Sequence, residues 1–195
     1  MNALRDASME RGGFDRIVRV KGATDSADPL KAPESETLCV GYRKTVVEVY
    51  QVERVERDAL GRRHLTRERH NDLVVREERF ADLQLRDASG TIPVDPAGAE
   101  LDFVTVVDRF EPSKEALASQ TEESALVTMP LGVDLGSRQI GQRHTEEVIP
   151  LGRMVHVIGE ATDSGGRLEI RKPKRTLAPF LISLKSNREL WGSAP

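Results

Sequence analysis

Residues 80–101 read FADLQLRDASGTIPVDPAGAEL, and apolar and polar side chains alternate in both halves of this stretch. That period is typical of strands with one buried face. Between the halves, residues 87–90 supply turn chemistry, and Gly90 can adopt the left-handed conformation that a tight hairpin needs. Pro93 cannot donate to a ladder, so it marks the return strand as an edge or a bulge. The stretch therefore predicts a β-hairpin.

Similar short alternations recur along the chain and predict a mainly β fold with short helices. Turn signals separate them about every 8–12 residues, which is typical of a barrel or a sandwich. The hairpin and its return strand favour an OB-like barrel; a small sandwich and an α+β fold are the alternatives. The run 62–69 is predicted to pair back as an exposed strand, with a charged helix as the competing interpretation. The residues predicted to share one core are Leu83, Leu85, Ile92, Val94, Val155 and Val157.

The chain is predicted to hold a single β domain over residues 16–190. Residues 1–15 lack the apolar stretch of a signal peptide and are interpreted as a polar leader. Residues 111–147 lose periodicity, which predicts an insertion with a short helix near 113–119 followed by a loop. Residues 186–195 begin with capping-box spacing and predict the start of a C-terminal helix.

The composition of the chain argues against several classes of protein. Net charge is −3 and the sequence pI is about 5.9, which argues against a nucleic-acid partner because general nucleic-acid binders are strongly basic. The single cysteine excludes an internal disulfide. No run approaches the ~18 apolar residues that a membrane span requires.

Candidate catalytic and metal-binding residues are scattered. The four histidines, at positions 64, 70, 144 and 156, lack ligand spacing. His144 with Glu146 and Glu147 is interpreted as a solvated charge cluster. Asp87 and Asp95 are interpreted as turn caps, and Cys39 as a small core residue. No catalytic residue, metal site or cofactor is predicted.

One charge cluster suggests a surface. Residues 167–188 hold seven bases against one acid, Glu169. A basic segment beside a bilayer is attracted to anionic head groups, and tryptophan favours the interface. The alternative is a strand edge that Lys and Arg keep soluble. The residues of this candidate membrane or partner surface are Arg167, Arg171, Lys172, Lys174, Arg175, Lys185 and Trp191.

A string of short blocks supports a family resemblance. In order they are Lys21-Gly22, Pro29-Leu30-x-Ala32-Pro33, Cys39-Val40-x-Tyr42-Arg43, the hairpin blocks, Glu146-Glu147-x-Ile149-x-x-Gly152, Val155-x-Val157-x-Gly159-Glu160-Ala161, Lys172-Pro173 and Phe180-x-Ile182-Ser183-x-Lys185-Ser186. The pattern resembles the GIDE domain, also called BAM, of membrane-anchored RING-type E3 ubiquitin ligases of mitochondria and chloroplasts, with prokaryotic relatives. In that family the domain lies between two transmembrane helices and precedes a zinc-binding RING. One cysteine cannot form a RING, so these residues lack the ligase module.

The resemblance implies a non-catalytic binding domain beside a membrane that positions an unidentified protein partner or substrate for ubiquitin conjugation. It also implies a cytoplasmic-side location if the chain is part of an anchored protein, and a cytoplasmic one otherwise. The second interpretation is an OB-like module for single-stranded nucleic acid. Such modules need aromatic stacking platforms, and five Phe, two Tyr and one Trp leave few beyond the core. The third interpretation, an undetected enzyme, has no supporting site.

Overall fold

The computed structural model describes residues 15–57, 59–114, 134–163, 167–174 and 178–185. Strands dominate these residues, which confirms the mainly β prediction. The predicted C-terminal helix, nearly all of the helix near 113–119 and most of the leader lie outside them. In chain order the strands are β1 Asp15–Asp25, β2 Leu30–Lys31, β3 Leu38–Arg57, β4 Arg63–Phe80, β5 Gln84–Asp87, β6 Gly90–Pro93, β7 Glu100–Leu101, β8 Val104–Pro112, β9 Asp134–Pro150, β10 Met154–Thr162, β11 Glu169–Arg171 and β12 Leu181–Ser183.

The chain forms two compact units. The first comprises Met1–Arg43, Glu78–Val106 and Glu147–Pro195, and the second comprises Lys44–Glu77 and Val107–Glu146. The four long strands β3, β4, β8 and β9 contribute residues to both. The first unit holds the predicted hairpin and most of the buried apolar residues.

The hairpin forms as the sequence predicts. β5 pairs antiparallel with β6, with Leu85 opposite Ile92 and Asp87 opposite Gly90. Gly90 has a φ of 131°, in the region that favours glycine. Pro93 lies on β6, the outermost strand in the sheet order, where its missing N–H leaves no gap in a ladder. Local turn chemistry and strand period therefore account for this element.

The hairpin belongs to a curled sheet in the first unit, with strand order β6-β5-β1-β10-β12-β7. β1 and β10 pair antiparallel from Asp15 opposite Thr162 to Ala23 opposite Met154. β11 pairs with residues 160–162 of β10, and β12 pairs with residues 156–158. A parallel bridge from Val94 to Ile170 links the end of the hairpin to β11, so the sheet curls back toward its own edge.

The inner face of this sheet carries the main core. All six residues that the sequence predicts to share a core lie in one buried cluster with Val20, Val40, Ile149, Ala161, Ile170, Phe180 and Ile182. A smaller cluster contains Ala32, Cys39, Tyr42 and Val148. Cys39 is fully buried there, which confirms its interpretation as a core residue.

The second unit is built from the paired segments of four strands. β4 pairs with β3, β3 with β9, and β9 with β8. Its buried side chains include Val46, Val49, Val52, Ile140 and one acid, Glu146. The charged run 63–69 is part of β4, which confirms the exposed-strand prediction over the competing helix.

The structure of residues 134–147 differs from the loop that the sequence predicts. The sequence predicts a loop there, because Gly136 and Gly141 interrupt the apolar period, but the structure places these residues in β9. Gly141 is buried in this strand: a Cβ at that position would lie 2.6 Å from Cζ of Phe110 and would overlap the Glu111 carbonyl oxygen. The neighbouring strand therefore fills the space, and glycine is required by close approach rather than by a turn.

Candidate functional site

Arg171, at the end of β11, lies among acids. Its guanidinium nitrogens are 3.8 Å from Oε1 of Glu160, 3.6 Å from Oε1 of Glu169 and 3.9 Å from Oδ1 of Asp15. It also donates a 3.4 Å hydrogen bond to Oγ1 of Thr162. Only 19% of its side chain is exposed, so most of its charge faces these carboxylates rather than solvent.

Two lysines that follow Arg171 are exposed. Lys172 lies beside the turn at Gly98, where a Cβ on that glycine would be 3.2 Å from the lysine Nζ. Lys174 is exposed as well, and its backbone N–H donates a 3.4 Å hydrogen bond to Oε2 of Glu160. Glu160 thus contacts both ends of the segment 171–174, through the side chain of Arg171 and the backbone of Lys174.

The remaining described bases of the predicted surface lie elsewhere in the first unit. Exposed Arg167, before β11, lines a cleft of about 370 Å³ with Asp82, Asp95 and Glu169. Lys185 follows β12, with its Nζ 3.9 Å from Oδ1 of Asp102. Arg175 and Trp191 lie outside the described residues. The structure therefore brings Arg171, Lys172 and Lys174 together, while Arg167 and Lys185 each have acids nearby.

A second basic surface, on β1, was not predicted from the sequence. A groove of about 430 Å³ is lined by residues 16–21 and by Asp87 at the end of β5. Arg16, Arg19 and Lys21 are exposed along it, whereas Val20 is buried in the core. The alternation of Val18 and Val20 with Arg19 and Lys21 is the sequence signal for it, because it is typical of a strand with one apolar and one basic face.

This surface is electropositive enough to affect its neighbours. His156 lies opposite Lys21 in the β1–β10 ladder and is buried. Burial lowers the pKa of His156, and the charges of Lys21 and Arg19 lower it further. The lowered pKa favours the neutral imidazole at pH 7.

The expected solvated cluster at His144 is wrong. Glu146 is fully buried, and the His144 side chain is only 16% exposed. Nε2 of His144 lies 3.7 Å from Oε2 of Glu111, while Oε2 of Glu147 lies 3.7 Å from the guanidinium of Arg43. Because these residues form a strand rather than a loop, residues 146 and 147 point to opposite faces and cannot share one solvated cluster.

The turn aspartates behave as the sequence predicts. Asp87 accepts hydrogen bonds from the backbone N–H and the hydroxyl of Ser89, at 2.7 and 2.6 Å, and these bonds lower the pKa of its carboxyl. Asp95 accepts a 3.0 Å bond from the N–H of Ala97. Both are Asx-type turn caps, which explains why aspartate occurs at each position.

Within the described part of the chain, no group of three or more His, Cys, Asp or Glu side chains is arranged to hold a metal ion. The described residues also include no helix that is long and apolar enough to cross a membrane.

The curled sheet defines the class of protein as a mainly β domain with exposed basic side chains around two of its strands. Comparison with known protein families identifies the family of this chain. The GIDE family model, described as an E3 ubiquitin ligase, matches residues 52–194, and the chain belongs to this family. The resemblance inferred from the ordered sequence blocks is thereby confirmed.

A curated relative agrees with the family match. The chain is 29% identical over 171 residues to the E3 ubiquitin-protein ligase SPL1 of Arabidopsis thaliana, a stretch that covers 86% of this chain. The same stretch covers 45% of the relative, so the chain spans about half the length of the protein it resembles. No solved structure matches the chain significantly.

Proposed function

We propose that this chain is a non-catalytic, membrane-adjacent binding domain of a GIDE-type E3 ubiquitin ligase-like protein, and that it positions a protein partner or substrate for conjugation. The observation that carries the proposal is the family match over residues 52–194. The sequence contains one cysteine, too few for the zinc ligands of a RING, and its side chain is fully buried, so we assign these residues a binding role rather than a transfer step.

The exposed bases near β11 support a membrane-adjacent role. Lys172 and Lys174 project from one short segment, and anionic head groups attract each nearby base by about 1 kcal/mol. Arg171 contributes less, because its guanidinium already faces three carboxylates. We infer a cytoplasmic-side location for the domain when it is part of an anchored protein, since anionic lipids are concentrated in that leaflet.

The placement of the phenylalanines favours a protein partner over a single-stranded nucleic acid. A Cβ at Gly41, Gly141 or Gly159 would lie within 3.0 Å of the ring of Phe80, Phe110 or Phe180, respectively. The fourth described phenylalanine, Phe103, lies under the guanidinium of Arg43, 4.4 Å from its Cζ. Of these rings only Phe110 is exposed, and a single open ring offers little of the successive stacking that a single-stranded nucleic acid needs.

Vesicle sedimentation tests the membrane role. Binding to vesicles that contain phosphatidylserine should be weak and should fall with added salt, because exposed charges are screened beyond ~10 Å at 0.1 M. The double variant Lys172→Glu/Lys174→Glu should bind less. The matched control is Arg69→Glu/Arg76→Glu, two exposed bases on β4, which should bind like the unchanged chain. Sedimentation that does not depend on phosphatidylserine, or an equal loss of vesicle binding in both double variants, would contradict the membrane-adjacent role.

A further inference from the structure

Three consecutive apolar side chains on β4 are exposed. The exposed fractions are 59% for Leu73, 51% for Val74 and 39% for Val75. Successive residues of a strand point to opposite faces, so β4 meets solvent on both faces at this point. A strand that serves only as a solvated edge is kept soluble by charge, and consecutive exposed apolar residues are a cost unless they have a function. This short run is therefore a candidate contact surface of the second unit.

The position of β4 in its sheet leaves room for a further strand. Among the described strands, only β3 pairs with β4, while β3 also pairs with β9, and β9 with β8. Every residue from 67 to 76 of β4 is exposed. A long strand at the side of a sheet presents backbone N–H and C=O groups that can accept another strand.

The charges on either side of the apolar run have opposite signs. Asp72 precedes the run and Arg76 follows it, and both side chains are exposed. Among the described residues, none forms an ion pair with either of them. If two β4 strands pair antiparallel about Val74, Asp72 of each copy lies opposite Arg76 of the other, because both positions are two residues from the centre. A parallel pair would place like charges opposite one another, which destabilises a ladder.

The same antiparallel register brings the apolar side chains together. Leu73 of each copy would lie opposite Val75 of the other, so four apolar side chains would share one face, and the two Val74 side chains would meet on the opposite face. Cβ atoms of directly opposite residues are about 4.5–5.5 Å apart, close enough for such pairs to stabilise the ladder. A shift by one residue would divide the four side chains between the two faces and would remove both charge pairs.

We infer that β4 is a self-association surface, on which a second copy of this chain pairs antiparallel through residues 71–77. The contact is isologous, because each copy contributes the same residues to it. Farther out, Arg69 would lie opposite Arg79, so the favourable pairing is short. About seven residues per copy bury less than the ~1,200–2,000 Å² of a stable interface, so we expect a weak dimer. The inference does not depend on the membrane-adjacent role, because it rests on β4 alone.

Sedimentation equilibrium of the full chain tests the pairing. The chain should be a monomer when dilute and should shift toward a dimer as its concentration rises. Asp72→Arg and Arg76→Asp should each raise the dissociation constant of the dimer about tenfold or more, because each replaces two attractive pairs with two repulsive ones. The matched control Asp28→Arg makes the same charge change as Asp72→Arg at an exposed position outside β4, and it should leave the dissociation constant unchanged.

A mixture of the two single variants is the most direct test of the register. Each variant repels itself, but their charges are complementary to one another, so equimolar Asp72→Arg and Arg76→Asp chains should form a heterodimer. The double variant Asp72→Arg/Arg76→Asp should dimerise like the unchanged chain. Hydrogen exchange at backbone amides within residues 71–77 should slow as the unchanged chain is concentrated. Comparisons that use Arg76 or Leu73 variants as controls belong in the dilute range, where no dimer contributes.

Several results would contradict the inference. If the chain stays monomeric at every concentration, or if all backbone amides within residues 71–77 already exchange slowly in the dilute chain, β4 does not accept a second copy. A dimer that both single variants leave intact would form through another surface. Two variants that fail to associate when mixed, or an equal loss in Asp28→Arg, would exclude the paired charges. Vesicle binding by a chain that never dimerises would leave the membrane-adjacent role standing while this inference fails.

Discussion

The hydroxyl of Thr24 donates a 2.6 Å hydrogen bond to the carbonyl oxygen of Pro150, 126 residues away in the sequence. The same hydroxyl accepts a 3.0 Å bond from the N–H of Arg153. Backbone bonds surround it: the Thr24 N–H donates to the Arg153 carbonyl and the Gly152 N–H donates to the Thr24 carbonyl, each at 2.8 Å. Thr24 is fully buried, so this one side chain joins the end of β1 to the turn between β9 and β10.

We predict that Thr24→Val destabilises the first unit. Valine keeps the shape but removes the hydroxyl, and the Pro150 carbonyl and the Arg153 N–H each lose a buried partner. Such losses cost about 1–3 kcal/mol. Urea denaturation followed by fluorescence measures the change. Thr24→Ser keeps the hydroxyl and should retain more stability than Thr24→Val; the reverse order would contradict the role of these bonds.

The variant Leu85→Ala tests whether the predicted core residues pack together. It is fully buried, opposite Ile92 in the hairpin, and Leu85→Ala should cost about 2–4 kcal/mol because it leaves a cavity. Leu73→Ala, at a position on β4 that is 59% exposed, should change the melting temperature little. An unchanged melting temperature in Leu85→Ala would mean that the side chain does not pack in the core.

The hairpin and the core could be predicted from the sequence because their causes are local. Alternation places Leu83 and Leu85 on one face, and the Asp87–Gly90 turn sets the register of β6. β9 could not be predicted this way. Gly141 resembles a loop residue in isolation, and only the neighbouring Phe110 and Glu111 explain why glycine suits a strand there.

The two basic surfaces, like the strands, could be predicted from the sequence only in part. The sequence predicts an excess of positive charge near β11, but it cannot place Arg171 among three acids, two of which, Asp15 and Glu160, lie on other strands. It also cannot indicate that β5 ends long before β1 does. The difference between these two strand lengths is a property of the assembled sheet.

Gly41 and Phe80 should be energetically coupled. A Cβ at Gly41 would lie 2.5 Å from Cδ1 of Phe80, so the ring occupies the space of a side chain. Gly41→Ala should destabilise the first unit by about 1–3 kcal/mol through overpacking. In the double variant with Phe80→Leu, the added cost of Gly41→Ala should shrink, because the smaller side chain can move away. Strictly additive costs in a double-mutant cycle would argue against the contact.

The Asp108–Arg143 pair predicts a pH effect in the second unit. Arg143 donates hydrogen bonds of 2.7 and 2.6 Å to the two carboxylate oxygens of Asp108, and these bonds lower the pKa of Asp108. Since the folded-state pKa is the lower one, the pair stabilises the fold above the ordinary carboxyl pKa of about 3.9, and this contribution is lost as pH falls through the folded value.

Arg143→Gln should therefore raise the pKa of Asp108 toward its ordinary value in an NMR titration of the carboxyl carbon. Arg109→Gln removes the same charge from the residue that follows Asp108. The Arg109 guanidinium lies 2.9 Å from Oε1 of Glu111, so this variant should leave the lowered pKa of Asp108 in place. If both variants shift Asp108 equally, general charge rather than the paired hydrogen bonds sets its pKa.

The buried thiol of Cys39 predicts that the chain transfers no ubiquitin by itself. A thioester carrier needs an exposed thiolate in an electropositive setting, and this side chain packs with Ala32, Tyr42 and Val148. A thiol reagent should label Cys39 slowly in buffer and rapidly in urea. Adding the chain to a ubiquitin-charged conjugating enzyme should leave the discharge rate at that of buffer, with a complete RING ligase as the positive control. Discharge that rises with chain concentration and persists in Cys39→Ser would place a catalytic surface in this domain and contradict its assignment as a binding module.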